Sequence, residues 1–539
     1  MSQTTLSGNS KIDALLSTYQ WGTVNGVAQA LTYSFPTTGS TWVADYGDSE
    51  PFSPNSYSAL SPSDRPYFAQ ALELYSDVAN LIFSETADNS LIDGDIRVAF
   101  STVVTGGTAG YAYYPTHSSS EEAGDIWLNT TTDSFYPDGQ GFSVFVHELG
   151  HAFGLKHSFE AGTKNSIILT GSEDSNQYTV MSYTNYAGVG YIEDGNSNSF
   201  YKKEPSTLML YDIAAIQFLY GANTATRTGD DVYSFSNSSP EFMTIWDAGG
   251  VDTFDLSNQS LAMEINLNAG SFSSLGVVTH KLVNGFIRAT NEAAVDNVAI
   301  AYNVDIEKAI GGSGDDVITG NGLANELTGG GGNDSIIGGD GYDTVVYSGN
   351  EADYQLQKTG ETIAVTSLVS NEGTDTLTGV EKLQFADKAI DAETLTEIGS
   401  LVPSKPSEVD LTPVEGDSNH INYFLLQIGA VLTEDASVEY TTRDGTAFAG
   451  EDYVFTSGVA TIKAGETSTV IGVEIIADLI SESDETFSLA ITNPQGGIFP
   501  EGVAEITALR TIVDDDTAAV SANMIDDIQL IGIADTLSA

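Results

Sequence analysis

The spacing of apolar positions changes character three times along the chain. In the first part, short alternating runs are interleaved with helical spacing. Leu31-Thr32-Tyr33-Ser34-Phe35-Pro36 alternates as a strand does, and Ile96–Phe100 and residues 124–129 (Gly-Asp-Ile-Trp-Leu-Asn) read as two more strands. Residues 7–16 read as a short helix start. Over 64–84, Tyr67, Ala71, Leu74, Tyr75, Val78, Leu81 and Ile82 recur at helical intervals. Phe142-Ser143-Val144-Phe145-Val146 is apolar enough to bury a helix, and residues 205–223 predict another, opened by Pro205 and closed by Gly221. From Gly311 to Val346 the period becomes nine, four times over. Position eight of each nonapeptide is apolar (Ile318, Leu327, Ile336, Val345) and position six is Asp or Asn (Asp316, Asn325, Asp334, Asp343). Each unit predicts a glycine-rich loop and then a short strand, with position eight stacked inward. After a linker with two prolines, residues 408–516 alternate like a β-sandwich.

Length agrees with several cores, since 539 residues exceed what one hydrophobic core holds. The expected organisation is an α+β domain over 1–223, a β-roll over 224–398, a linker at 399–407, an all-β sandwich over 408–516 and a tail over 517–539. With no cysteine, disulfides and thiolate metal sites are excluded. No apolar run reaches membrane-spanning length, and no basic segment followed by an apolar run marks an N-terminal signal peptide, so a soluble chain is expected. The charge of −57, from 75 acidic and 18 basic residues, disfavours nucleic acid and anionic lipid as partners. It fits a salt-adapted surface or carboxylates gathered around cations. The clustering of Asp with Gly favours calcium for part of the excess.

The chemistry concentrates at residues 147–157, His-Glu-Leu-Gly-His-Ala-Phe-Gly-Leu-Lys-His. On a helix His147 and His151 leave the same face, one turn apart. Glu148 can then reach a water on a shared metal without ligating it. Gly154 can take positive φ and end the helix, letting His157 supply a third nitrogen. Three neutral imidazoles leave a fourth position open, the layout of a catalytic zinc site. A bare His-x-x-x-His is often two surface histidines, but here three of the chain's six histidines fall in one eleven-residue pattern.

Downstream, Val180-Met181-Ser182-Tyr183 resembles the Met-turn of the metzincin metallopeptidases, whose other signature is the extended histidine motif. The resemblance implies a zincin-type catalytic domain in which Met181 forms an apolar floor under the histidines. It also implies that Tyr183 is a zinc-binding or transition-state-binding tyrosine. The strand at 124–129 is then expected to be the cleft-lining sheet edge to which a peptide adds. Asp212-Ile213-Ala214-Ala215-Ile216-Gln217 with Leu219-Tyr220-Gly221 is close to the helix that ends serralysin catalytic domains. Residues 1 to about 390 therefore resemble a serralysin, a secreted bacterial metzincin with a calcium-binding RTX β-roll. The resemblance implies calcium ligands at Gly312, Gly314 and Asp316 with Gly329, Gly331 and Asp334. A weaker second ion is implied between Asn325 and its loop (Asn321, Leu323) and Gly338, Asp340 and Asp343. Flanking ligands are implied at Arg227, Gly229, Asp231, Asp247, Gly249, Gly250 and Asp252, with Asp305 and Glu307. Glycine-rich loops lose much entropy on ordering and stacked aspartates repel, so the roll is expected to be disordered without calcium.

Residues 438–453, 478–487 and 512–516 are similar to a Calx-β domain, in which acidic clusters at one end can bind calcium. Glu415, Asp452, Asp478, Asp514, Asp515 and Asp516 are the candidates; the competing reading is solvated acidic loops without metal. The acidic, apolar tail is compatible with the uncleaved C-terminal signal of a type I secretion system. The expectation is a secreted, extracellular, monomeric zinc endopeptidase acting on proteins and peptides, with zinc and several calcium ions as cofactors. Its rival is a calcium-dependent adhesin or matrix-binding protein with an inactive protease domain.

Overall fold

A computed structural model describes the chain except residues 1–4, 43–55, 105, 116–121, 138, 195–198, 370–371, 396–400, 403–411, 417, 430, 479, 500–502 and 515–539. The chain forms two compact units, residues 1–348 with 370–375 and residues 349–369 with 376–539.

In the first unit the alternating runs build one sheet. Gln29–Ser34 (β1), Tyr57–Ala59 (β2), Leu81–Glu85 (β3), Ile96–Ser101 (β4), Gly110–Ala112 (β5) and Ile126–Asn129 (β6) lie in the order β3-β1-β4-β6-β5, with β2 paired to β4. Pairing along that path is parallel except at β5, which runs antiparallel to β6. After the short helix Ser10–Asp13 (α1), two longer helices pack with the sheet, Arg65–Val78 (α2) and Gln140–Ala152 (α3). Pro66 occupies the first turn of α2, where a missing N–H is harmless. The helices lock together through Phe68 edge-on to Phe145 (5.2 Å) and through the Tyr75 hydroxyl, which donates to the Val146 carbonyl (2.7 Å).

Three expectations change. Helical spacing runs on to residue 84, but α2 stops at Val78 and Leu81–Glu85 is a strand. Leu81 is 3% and Ile82 66% exposed, an alternation of period two that happens to fall in register with the helical positions before it. The Asn80 carbonyl accepts from Gln29 N and its amide donates to Gly221 O, which fixes the turn between helix and strand. Second, the strand at 124–129 is not a sheet edge: β6 is enclosed between β4 and β5, and the edge is Gly110–Ala112. Third, the helix at 205–223 is shorter, Leu210–Tyr220 (α4). Pro205 lies more than a turn upstream, and the start is set by the buried Asp212, which accepts the Met209 amide at 3.0 Å. Gly221, φ +79°, closes it as expected.

The nonapeptides of the same unit form the expected parallel roll. Val317–Thr319 and Ser335–Ile337 stack with Glu264–Asn266 on one side. Lys308–Ile310, Glu326–Thr328 and Thr344–Val346 stack with Thr253–Asp255 on the other. Ile318, Leu327, Ile336 and Val345 are all fully buried, each contributing roughly 1.5–3 kcal/mol.

In the second unit two sheets enclose a core that includes Phe424, Val438, Tyr453, Val473 and Phe487. One sheet joins 420–427 to 468–475; the other has the order 457–462, 436–444, 485–495, 506–512. Leu401–Val402, assigned to the linker from sequence, pair with Leu425–Leu426 of the first sheet. The tail at 517–539 lies outside the described residues.

Candidate metal centre

His147 and His151 project from α3 with ring centroids 4.9 Å apart. The helix ends at Phe153, and Gly154 follows at φ +100°. A Cβ there would come within 2.2 Å of the Tyr19 carbonyl, so only glycine lets the chain turn at this point. The turn returns His157 to 4.6 Å from His151 and 5.3 Å from His147, centroid to centroid. His147 Nδ1 meets the Val180 carbonyl and His151 Nδ1 the Leu155 carbonyl, each at 2.7 Å, while His157 Nδ1 meets Glu160 Oε2 at 3.0 Å. A carbonyl only accepts, so both Nδ1 atoms of the helical pair carry the proton and their Nε2 lone pairs face inward. Ligand atoms of all three rings lie within 4.8 Å of one another, with His151 Nε2 and His157 Nε2 3.1 Å apart. Burial lowers His147 to about 4 and His151 well below its ordinary value, which keeps both neutral. Three converging imidazoles, each with its Nδ1 backed by an acceptor, fit a zinc ion.

The supports of this centre come from several segments. Lys156, beside the third histidine, is buried and its ammonium donates to the carbonyls of Ala14, Glu160 and Ile167. Its amide donates to Leu15 O, and Ser17 N donates to Gly154 O, so the N-terminal segment is stitched to the His157 loop. Met181 is fully buried under α3. A Cβ on Gly150 would lie 2.5 Å from its Sδ, so that glycine admits the thioether. Asp212 holds the Met-turn in place, accepting from Thr179 Oγ1 (2.6 Å) and Val180 N (2.8 Å). Asp174 Oδ1 accepts from both Ser158 Oγ and Ser182 Oγ, joining the neighbours of His157 and Tyr183. The Tyr183 hydroxyl lies 2.7 Å from His157 Nε2, on a ring that is 66% exposed.

Glu148 is buried, and its Oε2 has no hydrogen-bond partner. Desolvation pushes its carboxyl up to about 8, a shift that a neighbouring cation offsets. Room for the side chain is made by Gly110 of the edge strand, where a Cβ would crowd Glu148 Oε1 at 3.1 Å. His147, Glu148 and Tyr183 line one cavity of about 410 Å³.

At the head of the roll, carboxylates of Asp231, Asp247 and Asp252 gather within 4.8 Å, and Asp252 Oδ2 is buried without a partner. Glu307 accepts the Asp252 amide (2.8 Å), while Arg227 spends its carbonyl on the Ala248 amide and its guanidinium on Trp246 O. Asp305 does not join this cluster. Further along, Asp316 accepts Gly312 N and Met263 N, Asp334 accepts Asp316 N, and Asp343 accepts Asn325 N. The Gly331 amide donates to Gly312 O, and a Cβ at Gly332 would lie 2.4 Å from Gly314 O, so loops two repeats apart stack as expected. Asp334 Oδ2 is buried and unpartnered; burial, then its Asp375, Asp316 and Asp315 neighbours, raises this carboxyl to about 7. Such orphaned oxygens among backbone carbonyls fit a hard cation like calcium. Asp340 is exposed. In the sandwich, Asp452, Glu482 and Glu485 converge, and Glu415 and Asp514 line the same small pocket. Asp478 instead donates its amide to Glu415 and accepts from Ile480 N. Asp515 and Asp516 lie outside the described residues.

Comparison with known proteins follows this division of the chain. Residues 28–201 match the family model of metallo-peptidase family M12, residues 212–391 that of the peptidase M10 serralysin C terminal, and residues 413–516 that of the Calx-beta domain. Serralysin C of Dickeya chrysanthemi is 39% identical over 274 residues, 46% of this chain and 51% of that protein. Serralysin B of the same organism is 37% identical over 332 residues (56% and 60%). The chain is similar to serralysins and, over residues 413–516, to the Calx-beta domain. A serralysin of Photorhabdus laumondii is 35% identical over 335 residues (57% and 63%), so the chain spans between half and two thirds of the length of these relatives. A crystal structure of the apo-form Calx CBD1 domain is 31% identical, covering 20% of this chain and 89% of that chain, with a TM-score of 0.17.

Several parts of the centre and its supports escape a reading of sequence. Gly110 and the edge strand it opens carry too short an apolar pattern to register. Asp174 and Asp212 are single acids whose partners are distant in the chain. Asp375, which accepts the Asp334 amide at 3.0 Å, sits outside the nonapeptide period. Glu482 and Glu485 stand in an acidic run whose convergence with Asp452 only the sandwich creates.

Proposed function

We propose that this chain is a zinc endopeptidase of the serralysin kind, secreted by a type I route, acting as a monomer on protein substrates and stabilised by calcium. The observation that carries the reading is the convergence of three Nδ1-anchored imidazoles beside a buried glutamate with an unpartnered oxygen. His147, His151 and His157 would hold the zinc, with the Tyr183 hydroxyl beside His157. A bound zinc supplies Lewis acidity, bringing the pKa of a water toward neutrality and polarising a carbonyl. Glu148 takes the proton from the attacking water on Oε2 and passes it to the leaving amine. The exposed edge of β5 orients the substrate main chain by strand addition, next to Glu148. Tyr183 Oη is placed to donate to the oxyanion as charge develops there. The roll carboxylates and the Asp452–Glu482–Glu485 cluster would take calcium.

Glu148→Gln is the direct test. The variant should bind zinc with unchanged stoichiometry and cleave an unfolded protein substrate at least about a hundred-fold more slowly. Equal turnover by the zinc-loaded variant would remove Glu148 from the chemistry.

A further inference from the structure

We infer that the cavity beside the metal centre selects a basic side chain, arginine or lysine, at a position flanking the scissile bond, with Glu204 as its counter-charge. This rests on the peptidase reading above. The cavity is shared: His147 and Glu148 line it together with Asn176, Asn185 and Glu204. A side chain that fills it therefore belongs to a residue next to the bond under attack.

The wall has two characters. Val144, Val146, Val180 and Pro205 offer an apolar surface on which the methylenes of a long side chain can lie. The remaining wall offers acceptors, and among the described residues the lining contains neither lysine nor arginine. Glu204 is half-buried, and desolvation raises its pKa against weaker opposing pulls from the Asn176 hydrogen bond and then the exposed Lys202. Its one hydrogen bond among the described residues is long, 3.4 Å from Asn176 Nδ2 to Oε2. The Asn176 amide cannot turn round to do otherwise, because its Oδ1 accepts the Tyr186 N–H at 2.6 Å. A carboxylate has about four acceptor sites, so one long hydrogen bond leaves capacity for a ligand in the cavity that Glu204 lines. Partial burial makes an unpaired anion costly, and an incoming guanidinium or ammonium relieves that cost only when the substrate is bound. The planar fork of arginine suits both oxygens best.

The test uses the full chain loaded with zinc and calcium. Peptide mixtures with every residue type equally represented around the cut site give a cleavage profile. Arg and Lys should exceed Leu by about ten-fold or more at one flanking position. Glu204→Gln should bring that ratio close to one, and Glu204→Lys should turn the preference toward Asp and Glu. Binding gives a second readout without turnover. On the zinc-loaded Glu148→Gln protein, an arginine peptide should bind about ten-fold tighter than its citrulline counterpart, and the difference should vanish when Glu204→Gln is added. Cleavage without a basic preference, or a ratio unmoved by Glu204→Gln, overturns this inference and leaves the peptidase reading standing. No cleavage of any peptide by the loaded chain overturns the reading and the inference together.

Discussion

Asp212 is a carboxyl far from the reacting atoms on which the floor of the centre nevertheless hangs. It is fully buried and accepts three hydrogen bonds, from Thr179 Oγ1, Val180 N and Met209 N. Replacing it by alanine strands two backbone amides and a hydroxyl in a dry site. At about 1–3 kcal/mol for each stranded group, partly relieved by rotation of the hydroxyl, Asp212→Ala should cost about 3–5 kcal/mol. Asparagine should cost about 1 kcal/mol or less, because its carbonyl still accepts both amides and its NH2 can donate to the Thr179 oxygen. Burial raises the Asp212 carboxyl to about 7 against 3.8 for the unperturbed group. The folded state therefore binds that proton more tightly than the unfolded state. The resulting stability is complete below about pH 4 and is lost as pH rises through about 7. Wild type should lose ground to Asp212→Asn over that window. All four tryptophans (Trp21, Trp42, Trp127 and Trp246) belong to the first unit, so urea unfolding followed by tryptophan fluorescence reports that unit alone. An alanine variant within 1 kcal/mol of wild type, or an asparagine variant as damaged as alanine at pH 5, would refute the reasoning.

Further outcomes are expected. Tyr183→Phe should lower turnover by about ten- to a hundred-fold while zinc affinity changes little, measured by steady-state kinetics beside competitive chelator titration; a purely affinity-driven loss contradicts its donor role. Gly150→Ala, whose new methyl meets Met181 Sδ, should destabilise the first unit by about 1–3 kcal/mol in the same fluorescence assay, and Met181→Ala in the same chain should recover part of that loss. Chelating calcium should cost the roll its strand signal in far-ultraviolet circular dichroism and expose residues 311–346 to a second protease. A chelated roll that keeps its full signal and resists cutting would show that the acidic ladder needs no ion.

Whatever repeats or sits close together in the chain is legible in its sequence. The three converging histidines lie within eleven residues, and their geometry follows from helical periodicity plus one glycine. The nonapeptides advertise their inward position by recurrence. Features made by distant segments were invisible. The end of α2 is hidden because Val78, Leu81 and Ile82 keep helical spacing across the turn into β3. The sequence reads as an edge strand over 124–129 because Gly110-Tyr111-Ala112 is too short and too small to signal one. Glu204, two residues past the Ser199–Lys202 strand, becomes meaningful only when Asn176 and the end of α3 are brought to it.

The loop that delivers the third imidazole is seated on carbonyls contributed by residues 14 and 15. A shortened version that starts after residue 17 would keep every atom of the histidine motif and lose the cradle that aims one of its rings. For anyone engineering this protein, the amino-terminal segment belongs to the histidine centre, and a fused carrier or purification handle should be set ahead of α1 on a spacer of its own.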